Sequence, residues 1–63
     1  MRLKEIREDN KYTQKQIADL LGVKQNTYSQ YENELRQIPI PMLIKLAKFY
    51  EVTTDYILEL SDY

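Results

Sequence analysis

Apolar positions recur at helical spacing in five short stretches, and nearly everything between them is polar or charged. The first stretch runs from Met1 to about Asn10, with Leu3 and Ile6 on one face. The second carries Ile17, Ala18 and Leu21, and the third, beginning near Lys24, puts Tyr28 and Tyr31 on one side. Leu43, Leu46, Ala47 and Tyr50 follow at i, i+3, i+4 and i+7, the strongest periodic signal in the chain. Tyr56, Ile57 and Leu60 share the face of a last helix. The pattern predicts an all-α domain of five short helices spanning residues 1–63.

The punctuation agrees with that count. Thr13 is a favourable N-cap, and Gln16 three residues later completes a capping box. Tyr12, just before the cap, suits the hydrophobic-staple position, as a core aromatic with its hydroxyl at the surface. Gly22 is the only glycine, and at the end of a helical pattern it supplies the left-handed residue that turns the chain. Asn10 is expected to do the same after the first helix. In Ile38-Pro39-Ile40-Pro41 each proline pushes the residue before it out of helical geometry, so the fourth helix starts at one of the two prolines. Thr53 or Thr54 caps a fifth helix reaching Leu60, and Ser61-Asp62-Tyr63 is expected to fray.

Composition narrows the function classes. Sixty-three residues without cysteine or histidine exclude a disulfide framework and the usual zinc sites, so the core must be held by apolar packing alone. No cofactor is expected. No apolar run reaches membrane-spanning length, and MRLKEIRED is too charged for a signal peptide, so a cytosolic protein is expected. The net charge of −1 says nothing for nucleic acid, but its distribution is uneven. Residues 1–38 carry seven basic against six acidic side chains, and residues 39–63 carry two against four. That asymmetry allows a basic face, not a basic domain.

Helix, short glycine turn and a second helix with an amide-rich outer face is the sequence form of a helix-turn-helix. Gln and Asn present a donor beside an acceptor, which matches N6 and N7 of adenine in the major groove. Gln25, Asn26 and Gln30 stand on the outer side of the third helix, two of them in its first turn, which is the part that enters the groove in this motif. A single glutamine there is an ordinary surface residue; three on one face favour base contact. Thr13 and Gln14 open the second helix, where free N–H groups favour a phosphate. Lys11, Lys15, Lys24 and Arg36 are singly ordinary surface charges and together suit a backbone clamp. Arg7 falls one turn after Leu3, next to the apolar stripe; either its stem covers the core or it forms a partly buried ion pair.

The combination Leu3-x-x-Ile6-Arg7, Thr13-Gln14-x-x-Ile17-Ala18-x-x-Leu21-Gly22-Val23, Tyr31-Glu32-Asn33, Leu43-x-x-Leu46-Ala47 and Val52-x-x-Asp55-Tyr56-Ile57-Leu58 resembles the Cro/C1-type (XRE) helix-turn-helix family of phage and bacterial repressors. The resemblance covers almost the whole chain. It implies a compact five-helix, lambda-repressor-like fold, usually dimeric, that binds a near-palindromic double-stranded operator with the third helix in the major groove. It implies a phosphate and base-edge contact by Gln14, base contacts by Gln25, Asn26 and Gln30, and phosphate contacts by Thr13, Lys24, Asn33 and Arg36. It also implies an ion pair between Arg7 and Glu32. Two departures stand out. Glu34 occupies a position that is often glycine in the family, so Asn33 is expected to take the left-handed turn. Leu20 is apolar where many members carry a polar residue.

Ile38, Ile40 and Leu58 exceed what a small core needs; they either cover the fifth helix or form a two-fold dimer patch. The leading expectation is a small transcriptional regulator, a repressor that binds double-stranded DNA as a homodimer. The alternative is an antitoxin-like or scaffold module that uses the same fold for a protein partner. An enzyme is the weakest reading, since there is no histidine, cysteine or glycine-rich phosphate loop, nor room for a small-molecule ligand pocket.

Overall fold

In the computed structural model, which describes residues 1–61, five helices follow one another: α1 (Leu3–Asp9), α2 (Gln14–Leu21), α3 (Gln25–Glu32), α4 (Ile40–Tyr50) and α5 (Thr54–Ile57). No strand occurs among the described residues. Each helix contributes one of the largest fully buried side chains: Leu3, Ile17, Tyr28, Leu46 and Ile57. Burying a side chain of this kind stabilises the fold by about 1.5–3 kcal/mol each, so five short helices, none stable alone, hold one another in place.

The N-terminal ends are set by side chains. Thr13 adopts extended geometry and its hydroxyl accepts from the Gln16 N–H at 3.1 Å, while the Gln16 side chain accepts from the Thr13 N–H at 2.8 Å. This is the expected capping box. Thr53, rather than Thr54, caps α5 by accepting from the Tyr56 N–H at 3.0 Å. Pro39 is the residue before α4, and Ile40 and Pro41 form its start. Tyr12 is more exposed than the staple position suggests, and its ring packs on Phe49 with centroids 5.3 Å apart.

The C-terminal ends share one device. Past each helix a residue turns left-handed: Lys11, Gly22, Glu34, Glu51 and Glu59, with φ between 58° and 72°. At every one of them its own N–H reaches the carbonyl three residues back. The next N–H reaches the carbonyl five back: Tyr12 to Arg7, Val23 to Ala18, Leu35 to Gln30, Val52 to Ala47 and Leu60 to Asp55. This is the paired hydrogen bonding of a Schellman ending, repeated five times. Asn10 and Asn33, expected to be left-handed, instead have φ of −92° and −86°. Both asparagines instead close their helices as the last right-handed residue, and the left-handed conformation falls on the charged residue that follows. The fifth helix is shorter than expected, ending at Ile57 and reaching Leu60 only through this turn. The expectation of fraying at Asp62 and Tyr63 lies outside the described residues.

Long side chains tie the short helices together. The Arg2 N–H donates to the Ile57 carbonyl at 2.8 Å, its Nε donates to the Tyr56 carbonyl at 3.0 Å, and its guanidinium lies 4.7 Å from the Tyr56 ring centre. That anchors the four-residue α5 to the start of α1. Lys45 Nζ donates to the Leu20 carbonyl at 2.8 Å, closing the end of α2 from α4. Leu20 itself is half-buried against the core. Ile38 is a core residue, 5% exposed. Of its two expected roles this fits the first, closing the core, because the loop between α3 and α4 folds it inward. Ile40 is 68% exposed and Leu58 is also exposed, so those two remain available.

Candidate nucleic-acid interface

The outer face of α3 is defined by what its inner face buries. Tyr28 and Tyr31 point into the core, so Gln25 and Asn26 stand in solvent at the start of the helix, and Gln30 lies half-exposed one turn after Asn26. Lys24 precedes the helix in extended geometry, and its exposed side chain makes no capping hydrogen bond. The first-turn N–H groups of α3 are therefore left without a side-chain acceptor, at the positive end of the helix dipole.

The start of α2 is more constrained. Thr13 and Gln16 satisfy two backbone donors between them, while the Gln14 and Lys15 N–H groups have no intrahelical acceptor. The Thr13 hydroxyl accepts from Gln16 and keeps its own proton for an outside acceptor. Lys15 is exposed, with Nζ 3.5 Å from Asp19 one turn on, a surface pair worth about 0.3–0.5 kcal/mol that a stronger anion can displace. Lys11 and Arg36 are exposed, one in the turn before α2 and the other in the loop after α3. The Asn33 side chain donates to Ser29 Oγ at 3.4 Å.

Behind this face sits a buried polar bracket. Arg7 Nε lies 2.6 Å from Glu32 Oε2 and Arg7 Nη2 lies 3.2 Å from Glu32 Oε1, a bidentate pair. Arg7 Nη1 also donates to the Tyr12 carbonyl at 2.8 Å, and Gln14 Nε2 donates to Glu32 Oε1 at 3.1 Å. One carboxylate thus holds α1, the start of α2 and the end of α3. The Glu32 side chain is 1% exposed, and burial alone would raise its pKa; the pairing with Arg7, followed by the polar groups of Tyr28 and Gln14, outweighs that and holds it below the usual carboxylate value. Arg7 is pushed up by the same pairing. Burial, and then the Glu32 carboxylate, raise the Tyr28 phenol.

Sequence reasoning did not single out Gln14 as part of this bracket. Its signal was available only in three dimensions, because Gln14 and Glu32 are eighteen residues apart. It also passed over Leu35, 79% exposed on the loop after α3, and Ile44, one turn beyond Ile40 on the outer side of α4. Glu34, which stands where the family often has glycine, is 3.3 Å from the Met1 α-amino group, and Glu59 is 2.9 Å from it. Among the described residues no pocket opens into the domain, and no cluster of His, Cys, Asp or Glu has metal-binding geometry. No described helix is long and apolar enough to cross a membrane.

Fold and site together define a helix-turn-helix domain, with α2 and α3 as its two helices. The helix-turn-helix family model matches residues 3–57, from the first residue of α1 to the last of α5. The chain belongs to the XRE-type helix-turn-helix family. It is 44% identical over 57 residues to the HTH-type transcriptional regulator ImmR of Bacillus subtilis (strain 168), covering 90% of this chain and 45% of ImmR. It is 39% identical over 61 residues to the uncharacterized HTH-type transcriptional regulator YobD of the same organism, covering 97% of this chain and 54% of YobD. The SPbeta prophage-derived uncharacterized HTH-type transcriptional regulator YonR is 34% identical over 58 residues, covering 92% of this chain and 54% of YonR. The chain spans about half the length of these relatives. No solved structure gives a significant match.

Proposed function

We propose that this chain binds double-stranded DNA sequence-specifically in the cytoplasm and regulates transcription, as a repressor that occupies its operator. The observation that carries this reading is the outer face of α3, where Gln25, Asn26 and Gln30 stand clear of the core behind an uncapped helix start. In the major groove these amides read base edges, with Gln14 beside them at the start of α2. Thr13, Lys11, Lys15, Lys24, Asn33 and Arg36 contact the flanking phosphates and fix the register. Transcriptional regulators among the relatives support the same role, which is not an enzymatic one.

A near-palindromic operator requires two copies related by a two-fold axis. Exposed Ile40 and Leu58 are the surface through which a homodimer would form, setting two α3 helices about 34 Å apart. The same exposed apolar residues, with Leu35, favour the second reading, an antitoxin-like or scaffold module that binds a protein.

Selection of bound sequences from random duplex DNA separates the two. Enrichment of paired half-sites about one helical turn apart, with affinity falling steeply with salt, supports the regulator. Absence of DNA affinity at low salt would favour the protein-binding module.

A further inference from the structure

The Gln14 side chain is not free to choose which end of its amide it presents. Glu32 is ionised, accepts from Arg7 through both oxygens, and has no proton to give. Only a donor can face it, so Gln14 must turn its nitrogen toward Glu32, as the 3.1 Å bond from Nε2 to Oε1 records. Reversing the amide would set two acceptors against each other beside a buried charge. What remains for an outside partner is the Gln14 carbonyl oxygen and one N–H. A phosphate oxygen or a base carbonyl only accepts, so either could take the remaining N–H but would leave that carbonyl oxygen without a donor. In the major groove the groups that donate are the N6 amino group of adenine and the N4 amino group of cytosine.

We propose that Arg7 and Glu32 are positioning residues for DNA specificity. By locking the Gln14 amide, they make it prefer a base that carries an exocyclic amino group over one that carries a carbonyl at that place. The inference rests on the groove reading above and assigns the chemistry of one of its contacts. It gives α1 a part in sequence choice although Arg7, at 8% exposed, touches no base.

The test is selection from random duplex DNA with wild type, Gln14→Ala, Glu32→Gln and the double variant Arg7→Met/Glu32→Met. A glutamine at position 32 either accepts or donates, so it releases the amide to flip. The double variant removes the bracket with apolar side chains of similar size, a replacement that buried ion pairs often tolerate, and it carries the test if Glu32→Gln does not fold. Wild type should show one position per half-site with a preference of about fivefold or more for adenine or cytosine over guanine or thymine. Gln14→Ala, Glu32→Gln and the double variant should all flatten that same position. Preferences set by Gln25, Asn26 and Gln30, and the salt dependence of binding, should stay as in wild type.

Retention of the preference after the bracket is removed would overturn the inference, as would a uniform loss of affinity at all positions or no change with Gln14→Ala. In each of those cases the groove reading survives. If wild type selects no sequence at all, the groove reading fails and the inference falls with it.

Discussion

Arg7 and Glu32, twenty-five residues apart in sequence, meet at 2.6 Å with only 10% and 1% of their side chains exposed. A buried pair of this kind is held by mutual dependence: removing one partner strands the other's charge in the core. Arg7→Ala is expected to destabilise the domain by about 3–5 kcal/mol, a large share of what a small domain has. Arg7→Met/Glu32→Met should lie much closer to wild type. Urea denaturation of the two variants checks both.

The same pair sets a pH dependence. The Glu32 pKa is lowered on folding, so its contribution is fully present above the unfolded value near 4.5 and is lost as pH falls through the lower folded value. Arg7, with its pKa raised, stays protonated throughout this range. Stability should therefore decline from about pH 5 downward, and the decline should be shallower in Glu32→Gln, which has no carboxyl to titrate. Thermal melts across pH 3–7 read the difference.

For base reading, Gln25→Ala or Gln30→Ala should each weaken binding to the selected site by about 1–3 kcal/mol and relax choice at one base pair. Lys24→Ala should instead weaken binding to all duplexes and lower the salt slope by about one. Titrations against selected and scrambled duplexes at two salt concentrations distinguish the patterns. Equal affinities of Gln25→Ala for both duplexes, at wild-type strength, would contradict base reading.

The helix endings make a stability prediction with opposite signs at two equivalent sites. A Cβ on Gly22 would meet nothing within 4 Å, so Gly22→Ala suffers from its φ of 72° alone, costing about 1–2 kcal/mol. Glu34 already bears that strain at φ 58°. Glu34→Gly relieves it, offset by the greater freedom of the unfolded chain and the lost contact to the Met1 amine. The net change should be small, between neutral and about 1 kcal/mol stabilising. Losing a carboxylate next to the α3–α4 loop should also raise duplex affinity at low salt.

Tyr50 offers a gain. Its hydroxyl is buried without a hydrogen-bond partner, and burial pushes its pKa up to about 12. Tyr50→Phe removes an unsatisfied polar group and should stabilise by about 1 kcal/mol, raising the melting temperature by roughly 4–8 °C.

The helical count and the inward residues were legible because period and capping are local properties. Thr13 with Gln16, and the spacing of Leu43, Leu46 and Ala47, carry their meaning within one or two turns. Left-handed endings were legible only at Gly22, because glycine advertises the conformation; Lys11, Glu34, Glu51 and Glu59 adopt it under the pull of the hydrogen bonds that follow. Ile38 was ambiguous because a loop has no periodicity from which to infer its inside. Arg7 with Glu32 entered through family resemblance, and Gln14 as the third member needed coordinates, since no sequence rule links the first residue of one helix to the last of another.

The recognition helix is eight residues long, hence about 12 Å from end to end. At 3.4 Å per base pair it spans fewer than four, and any given four-letter word recurs by chance about once in every 250 base pairs. One copy would therefore be lost among the competing sites of a genome of even 10⁶ base pairs, roughly the smallest such background. Two copies reading one composite word reach about one chance occurrence per 65,000 base pairs, and each further contact outside α3 multiplies that rarity by up to four. Measured as information, the shortness of α3 would turn a surface joining two copies, and the Gln14 amide at the start of α2, into letters of the address.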